Sequence, residues 1–175
     1  MSETNLLKQG CQSIVLPSKD RLSWYEYFMG LAVLVSLRSP DKNTRVGSLI
    51  IDINNRIIAT GYNSTPKGID PKLINWARDN TDPLKNKYPF VLHSEVSAIL
   101  SAKGDLKGTT LYTTLMPCCE CAKIITQSEI KKVIYLEDKY PNISSTTAAK
   151  MIFKLAGVKV VQFKPTRDNI EIRFQ

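Results

Sequence analysis

The 175-residue chain contains a single histidine, His93, and only four cysteines, Cys11, Cys118, Cys119 and Cys121. It has no apolar run near the roughly 18 residues that a membrane-spanning helix needs, and its longest, around Leu31–Leu37, is too short. Its first residues, MSETNLLKQG, carry an acid early and no apolar core. That pattern argues against a secretory leader and sets the expectation of a cytoplasmic protein. Aromatic residues make up 8% of the chain, and no dense basic-aromatic run offers a stacking platform for a single-stranded nucleic acid. Internal repeats and low-complexity segments are absent. Three of the four cysteines fall within four residues, a poor spacing for a disulfide framework and a good one for a metal. Thiols of a cytoplasmic protein are mostly reduced, which points the same way.

What is present is basic and globular. Lys and Arg number 24 against 16 Asp and Glu, a formal net charge of +8. Such an excess suits an anionic partner, either nucleic acid or a phosphorylated small molecule, or serves solubility alone. The 43% hydrophobic content is that of a folded chain, not a disordered one. The length suits one domain, able to bury roughly 70% of its unfolded surface without staples. Residues 1–20 show no period and read as a loose arm. Residues 21–175 read as a single domain with a long polar, Pro-rich insertion at about 63–90, a length that in a compact domain marks function or mobility.

The pattern predicts a helix from Ser23, where Ser23-Trp24-Tyr25-Glu26 fits a capping box. Phe28, Leu31, Ala32, Val35 and Leu37 are its expected apolar positions, and Ser39-Pro40-Asp41 its stop. Val46–Ile53 and Arg56–Tyr62 read as a hairpin, with Asn54-Asn55 able to take the positive φ of a tight turn. A short helix is expected around Leu73–Arg78. Beyond it, helices (Ser94–Lys103, Cys118–Ser128, Ser145–Ala156) alternate with strands (Thr109–Thr114, Lys132–Leu136, Val158–Phe163). Ile170–Phe174 alternates like one more edge strand. Strands spaced by helices predict an α/β layer fold.

His93 opens one predicted helix, in His93-Ser94-Glu95, and Pro117-Cys118-Cys119-Glu120-Cys121 opens the next. Proline suits a helix's first turn. Cys118 and Cys121, three apart, share a helix face, and Cys119 does not. The positive end of the helix dipole favours the thiolates a metal needs. One imidazole and two thiolates make a zinc-type set, and three protein ligands leave a fourth position open, as in catalytic sites. Cys11 could in principle close that position, but it has no partner at short spacing. Glu95, two residues from His93, can relay a proton from an activated water to a leaving nitrogen. Taken alone, it could equally be a carboxylate complementing its helix dipole.

His-x-Glu followed by Pro-Cys-x-x-Cys is the order found in zinc nucleobase deaminases, and the chain resembles the cytidine deaminase superfamily. More of it is similar to the deoxycytidylate (dCMP) deaminase branch, over roughly residues 23–162: Trp24–Met29, Arg38-Ser39, Val46-Gly47, Gly61-Tyr62-Asn63, Lys87-Tyr88-Pro89, the metal motifs, Ala122-Lys123 and Asp138-Lys139-Tyr140. The resemblance implies a three-layer sandwich, a mixed sheet of about five strands between helices, with zinc at two helix starts. It implies that His93, Cys118 and Cys121 hold one Zn2+ and that Glu95 moves protons while dCMP and water become dUMP and ammonia, supplying dUMP for thymidylate synthesis. It implies that Asn63 bonds the sugar hydroxyl, that Tyr140 lies near the ring and phosphate, and that Asn43, between Lys42 and Arg45, lines the phosphate pocket. The bland readings are a turn residue for Asn63, a strand-end aromatic for Tyr140 and a solvated polar group for Asn43.

The same resemblance implies a homo-oligomer, usually a hexamer, activated by dCTP and inhibited by dTTP, with Mg2+ accompanying the triphosphate. The regulatory loop would hold Gly61, Tyr62 and Gly68. Ser64 stands where the family prefers glycine, and a side chain there narrows the backbone approach to a phosphate. The insertion lacks the extra His and Cys of members with a second zinc, so a single zinc is expected. Other readings are a broader dCMP/dCTP deaminase, a polynucleotide deaminase and a non-catalytic zinc module.

Overall fold

The computed structural model describes residues 21–78 and 81–173. The expected arm and Cys11 lie outside the described residues. The capping box forms as expected: Glu26 N donates to Ser23 Oγ, and Ser23 N donates to Glu26 Oε2. It opens α1 (Trp24–Ser36), which is followed by β1 (Gly47–Ile51) and β2 (Ile57–Tyr62). Their turn is tied by Asp52 Oδ1, which accepts from Asn54 N and Arg56 N, with Asn55 at φ 61°. Then come α2 (Ser94–Ser101), β3 (Thr110–Leu115), α3 (Cys119–Gln127), β4 (Lys132–Glu137), α4 (Ser144–Leu155) and β5 (Lys159–Gln162).

The five strands form one mixed sheet in the order β2-β1-β3-β4-β5. β1 pairs antiparallel with β2 and β3, while β3, β4 and β5 run parallel. Parallel neighbours need a crossover, which α3 and α4 supply. Strand alternation splits the core into two layers. Leu49, Ile51, Tyr112 and Ile134 face α1 and pack with Phe28, Met29 and Ala32. Ile50, Leu111, Val133 and Tyr135 face the other side and pack with Ala98, Cys121, Ala122, Ile125, Ala149 and Phe153 of α2, α3 and α4. The result is the expected three-layer α/β sandwich.

Three local expectations are corrected. In α1, Phe28 and Ala32 are buried, but Leu31 and Val35 are only half-buried and Leu37, the C-cap, is exposed. The helix lies so close to β1 that a Cβ on Gly47 would fall 2.0 Å from Ala32 O and 2.6 Å from Ser36 N. The contact line therefore runs through 28, 32 and 36 and turns Leu37 outward. Around Leu73–Arg78 there is no α-helix, only a 3-10 turn, Pro71–Leu73, capped by Asp70 and ended by extended Ile74. A second such turn, Pro83–Lys85, follows with Asp82 as its cap. Residues 170–173 form no strand; Phe174 lies outside the described residues. Ile170 instead packs beside Gly30 of α1. The segment is latched by Glu26, whose Oε1 accepts from Thr166 Oγ1 and Arg167 Nε. Those bonds, Thr166's foremost, and Ser23's hold the Glu26 carboxyl down at about 2.

Gly61 of β2 sets the height of α2 above the sheet: a Cβ there would sit 2.3 Å from both Ser94 O and Ala98 N. A contact that short must move backbone, and overpacking of this kind costs about 1–3 kcal/mol. Gly61→Ala is expected to lower the thermal midpoint and to reduce bound zinc, because the start of α2 carries His93. Thermal unfolding and metal analysis on the same preparation check both.

Candidate active site

The site lies where the two helix starts meet. β3 ends at Leu115, and the next residues lead into α3 with Cys118 as its N-cap. His93 is the N-cap of α2. Both caps are extended, and neither makes a side-chain capping bond. His93 Nδ1 lies 3.3 Å from Cys121 Sγ and 3.4 Å from Cys118 Sγ. Ligand atoms of all three residues fall within 4.8 Å of one another. Cys119 turns away, as the helix-face argument predicts: its Sγ accepts from Ser145 Oγ of α4.

The Cys118 thiol is held down to about 4, first by the hydrogen bond from Cys121 and then by His93. Cys121 is pushed up, first because its thiol serves Cys118 and then by burial and Glu95. His93 is raised, first by its hydrogen bond to Cys118. A metal binding there would displace shared protons. With Zn–S of about 2.3 Å and Zn–N of about 2.0 Å, tetrahedral geometry puts neighbouring N and S ligands roughly 3.5 Å apart. The two N–S spacings and the N, S, S donor set fit zinc.

Glu95 is buried beside the triad, and Ser94 Oγ donates to its Oε2 at 2.9 Å. Burial, before any other cause, raises its carboxyl above the usual range. That is the direction needed by a group that both takes and gives protons near neutral pH. His93, Glu95 and Cys118 open onto a cavity of about 550 Å³, within the roughly 300–1,000 Å³ of small-molecule sites.

The other expected residues divide. Asn63 and Tyr140 line this cavity. Asn63 is buried; its Oδ1 accepts from Val46 N, and its Nδ2 donates to Thr44 O and Asp41 Oδ2. Asn43, Lys42 and Arg45 do not line it, and Asn43 Nδ2 donates instead to Trp76 O. Gly61, Tyr62 and Gly68 do not line it either. Gly61 packs under α2, Gly68 is a turn residue at φ 92°, and Ser64 pairs its backbone with Leu92.

The cavity's cations come from elsewhere. Lys87 is buried and ion-paired with fully buried Asp41, whose other oxygen accepts from Asn43 N and Thr44 N. Arg78 donates to Thr44 Oγ1, while its Nε is buried and has no partner among the described residues. Periodicity could not find Asp41, Arg78 or Lys87, which come from loops far apart in the chain. The signal present was a Lys-Tyr-Pro run inside an otherwise polar insertion.

The family of the cytidine and deoxycytidylate deaminase zinc-binding region matches residues 22–137. The chain belongs to that family. This deaminase is similar to the deoxycytidylate deaminase of Mus musculus, with 44% identity over 156 residues, 89% of this chain and 88% of the relative. It is similar to that of Homo sapiens at 42% identity with the same coverage. Among solved structures it is similar to the dCMP deaminase of cyanophage S-TIM5 in complex with dCMP and dUMP. There the TM-score is 0.63 at 30% identity, covering 79% of this chain and 95% of that one. Among the described residues no helix of this deaminase is long and apolar enough to cross a membrane.

The ligand assignment has a direct check. The deaminase is expected to carry about one zinc per chain, as three ligands around one open position imply. Cys118→Ala and Cys121→Ala are expected to lose it, while Cys119→Ala keeps it. Metal analysis after gel filtration reads all three variants.

Proposed function

We propose that this hydrolytic deaminase converts dCMP and water to dUMP and ammonia. The observation that carries the reading is the buried carboxylate of Glu95, set beside the His93, Cys118 and Cys121 triad at the wall of one nucleotide-sized cavity. His93, Cys118 and Cys121 would hold the zinc ion. When bound, it supplies a Lewis acid that makes a water nucleophilic near neutral pH.

The remaining chemistry belongs to the chain. Glu95 takes a proton from the attacking water and delivers it to N3 of the cytosine ring. As C4 gains its oxygen and loses its nitrogen, Glu95 passes the second proton to the departing amine, so ammonia leaves and uracil remains. A buried carboxyl of raised pKa suits both halves of this shuttle. Asn63 is fixed at its Nδ2 by Asp41 and Thr44. Its Oδ1 keeps a second lone pair, beyond the one used by Val46 N, for the sugar hydroxyl. Tyr140 closes the same wall.

Arg78 is the cation we assign to the 5′-phosphate, in place of the Lys42–Arg45 segment. Among the described residues no acid of the cavity wall is paired with it, whereas Lys87 is neutralised by Asp41. Guanidinium groups suit phosphate by charge and by planar geometry. The chain's resemblance also supports regulation by dCTP and dTTP with Mg2+ and a hexameric assembly, and its sequence pattern a cytoplasmic location.

Glu95→Gln tests the reading. The amide keeps size and position but cannot accept the water's proton. Turnover of dCMP is expected to fall by at least the roughly 10²–10⁴-fold that general acid–base catalysis contributes, with zinc and fold retained. A variant as active as the parent would overturn the mechanism. In a second measurement, Arg78→Ala is expected to raise KM for dCMP about tenfold or more, the scale of a lost charge-assisted contact.

A further inference from the structure

Two fully buried serines lie behind the carboxylate. Ser94, the first residue of α2, donates its hydroxyl to Glu95 Oε2 at 2.9 Å. Ser48, in β1, has its Oγ 2.7 Å from Ser94 Oγ. Both are 0% exposed. A hydroxyl has one proton to give. With Glu95 ionised, Ser94 spends that proton on the carboxylate, so Ser48 must donate to Ser94. The chain therefore runs Ser48 to Ser94 to Glu95, from the centre of the sheet to the cavity wall.

This pair has no packing rationale. Burying a hydroxyl is costly unless it is bonded, and on this face Ser48 lies next to Ile50 and opposite the buried Thr113 of β3, whose own hydroxyl has no partner among the described residues. Two small apolar residues would fill the same space without that cost. What the hydroxyls add is direction: they fix one carboxylate oxygen and hence the rotation of the group. Successive hydrogen bonds in a dry interior also polarise one another. The start of α2 is itself wedged, with Ser94 O against Gly61 of β2, so the pair is anchored to two strands and transmits their position to Glu95.

We infer that Ser94 and Ser48 are positioning residues of this deaminase, a two-hydroxyl strut that holds the Glu95 carboxylate in the orientation it needs for proton transfer. The inference rests on the role proposed for Glu95.

The test is a set of variants assayed on dCMP as zinc-loaded enzyme, with zinc content and thermal midpoint measured alongside. Ser94→Ala is expected to lower kcat about tenfold to a hundredfold, the scale of a misplaced catalytic group. KM should stay within about twofold and zinc at one per chain, because the buried Ser94 hydroxyl is spent on Glu95 and Ser48. Ser48→Ala is expected to act in the same direction more weakly. The double variant should be no slower than Ser94→Ala, since both act through one bond. In a Glu95→Gln background, Ser94→Ala should change the residual rate no further.

A Ser94→Ala enzyme with parental kcat, or one whose lost activity tracks lost zinc or lost fold, overturns the inference. If Ser94→Ala does not fold, Ser48→Ala carries the same test: a parental kcat there overturns it. The outcomes separate the two claims. Full activity of Glu95→Gln alone would sink the proposed mechanism. An inactive Glu95→Gln together with a fully active Ser94→Ala would sink only the strut.

Discussion

An imidazole nitrogen is held 3.3 Å and 3.4 Å from two sulfurs, a spacing that a shared proton or a bound cation satisfies, and the rest of the molecule is arranged around that constraint. The fold meets it before any ion arrives. His93 and Cys118 are both helix N-caps, and Cys121 lies one turn into α3. Helix starts present positive dipole ends, which favour the thiolate form and the binding of anionic ligands. Neither cap spends its side chain on its own helix, so both are available to a metal.

Holding two helix starts together requires a rigid platform. The parallel β3–β4 pair carries α3 out of the end of β3, while Gly61 lets α2 settle directly onto β2. Gly47 does the same for α1 on the opposite face. These close approaches explain why glycines in the strands matter here for packing: a side chain at either position would lift a helix off the sheet. The buried Asp41–Lys87 pair does equivalent work in the loops. It pins Asn63 and the Lys87 loop to one wall of the cavity, at the desolvation cost that buried ion pairs carry.

Much of this was legible in the sequence because the informative residues were scarce. One histidine and a tight group of cysteines leave few ways to build a metal set, and the helix period separates Cys119 from its neighbours. The alternation of helices and strands located the five strands and four α-helices of the described residues within a few residues. What escaped was non-local or small. Leu37 looked apolar enough for the core, but the line of contact with β1 is set by Gly47, a residue from another element. Ile170 and Ile172 alternate as in a strand, yet nothing local reveals that Glu26 latches this segment onto α1. Arg78 and Lys87 reach the cavity from loops that have no period. Ser48 and Ser94 carry no pattern at all, since a buried serine and an exposed one look alike in a sequence.

The proposed reaction requires that this site take a cytosine whose sugar carries a 5′-phosphate. One measurement tests it most directly: release of ammonia from dCMP, dCTP, deoxycytidine and a cytosine-containing oligonucleotide, compared side by side at equal enzyme and substrate concentrations. Arg78 on the wall of a nucleotide-sized cavity predicts rapid turnover of dCMP, far slower turnover of deoxycytidine and none of the oligonucleotide. Equal rates on dCMP and deoxycytidine, or a preference for the oligonucleotide, would contradict the account.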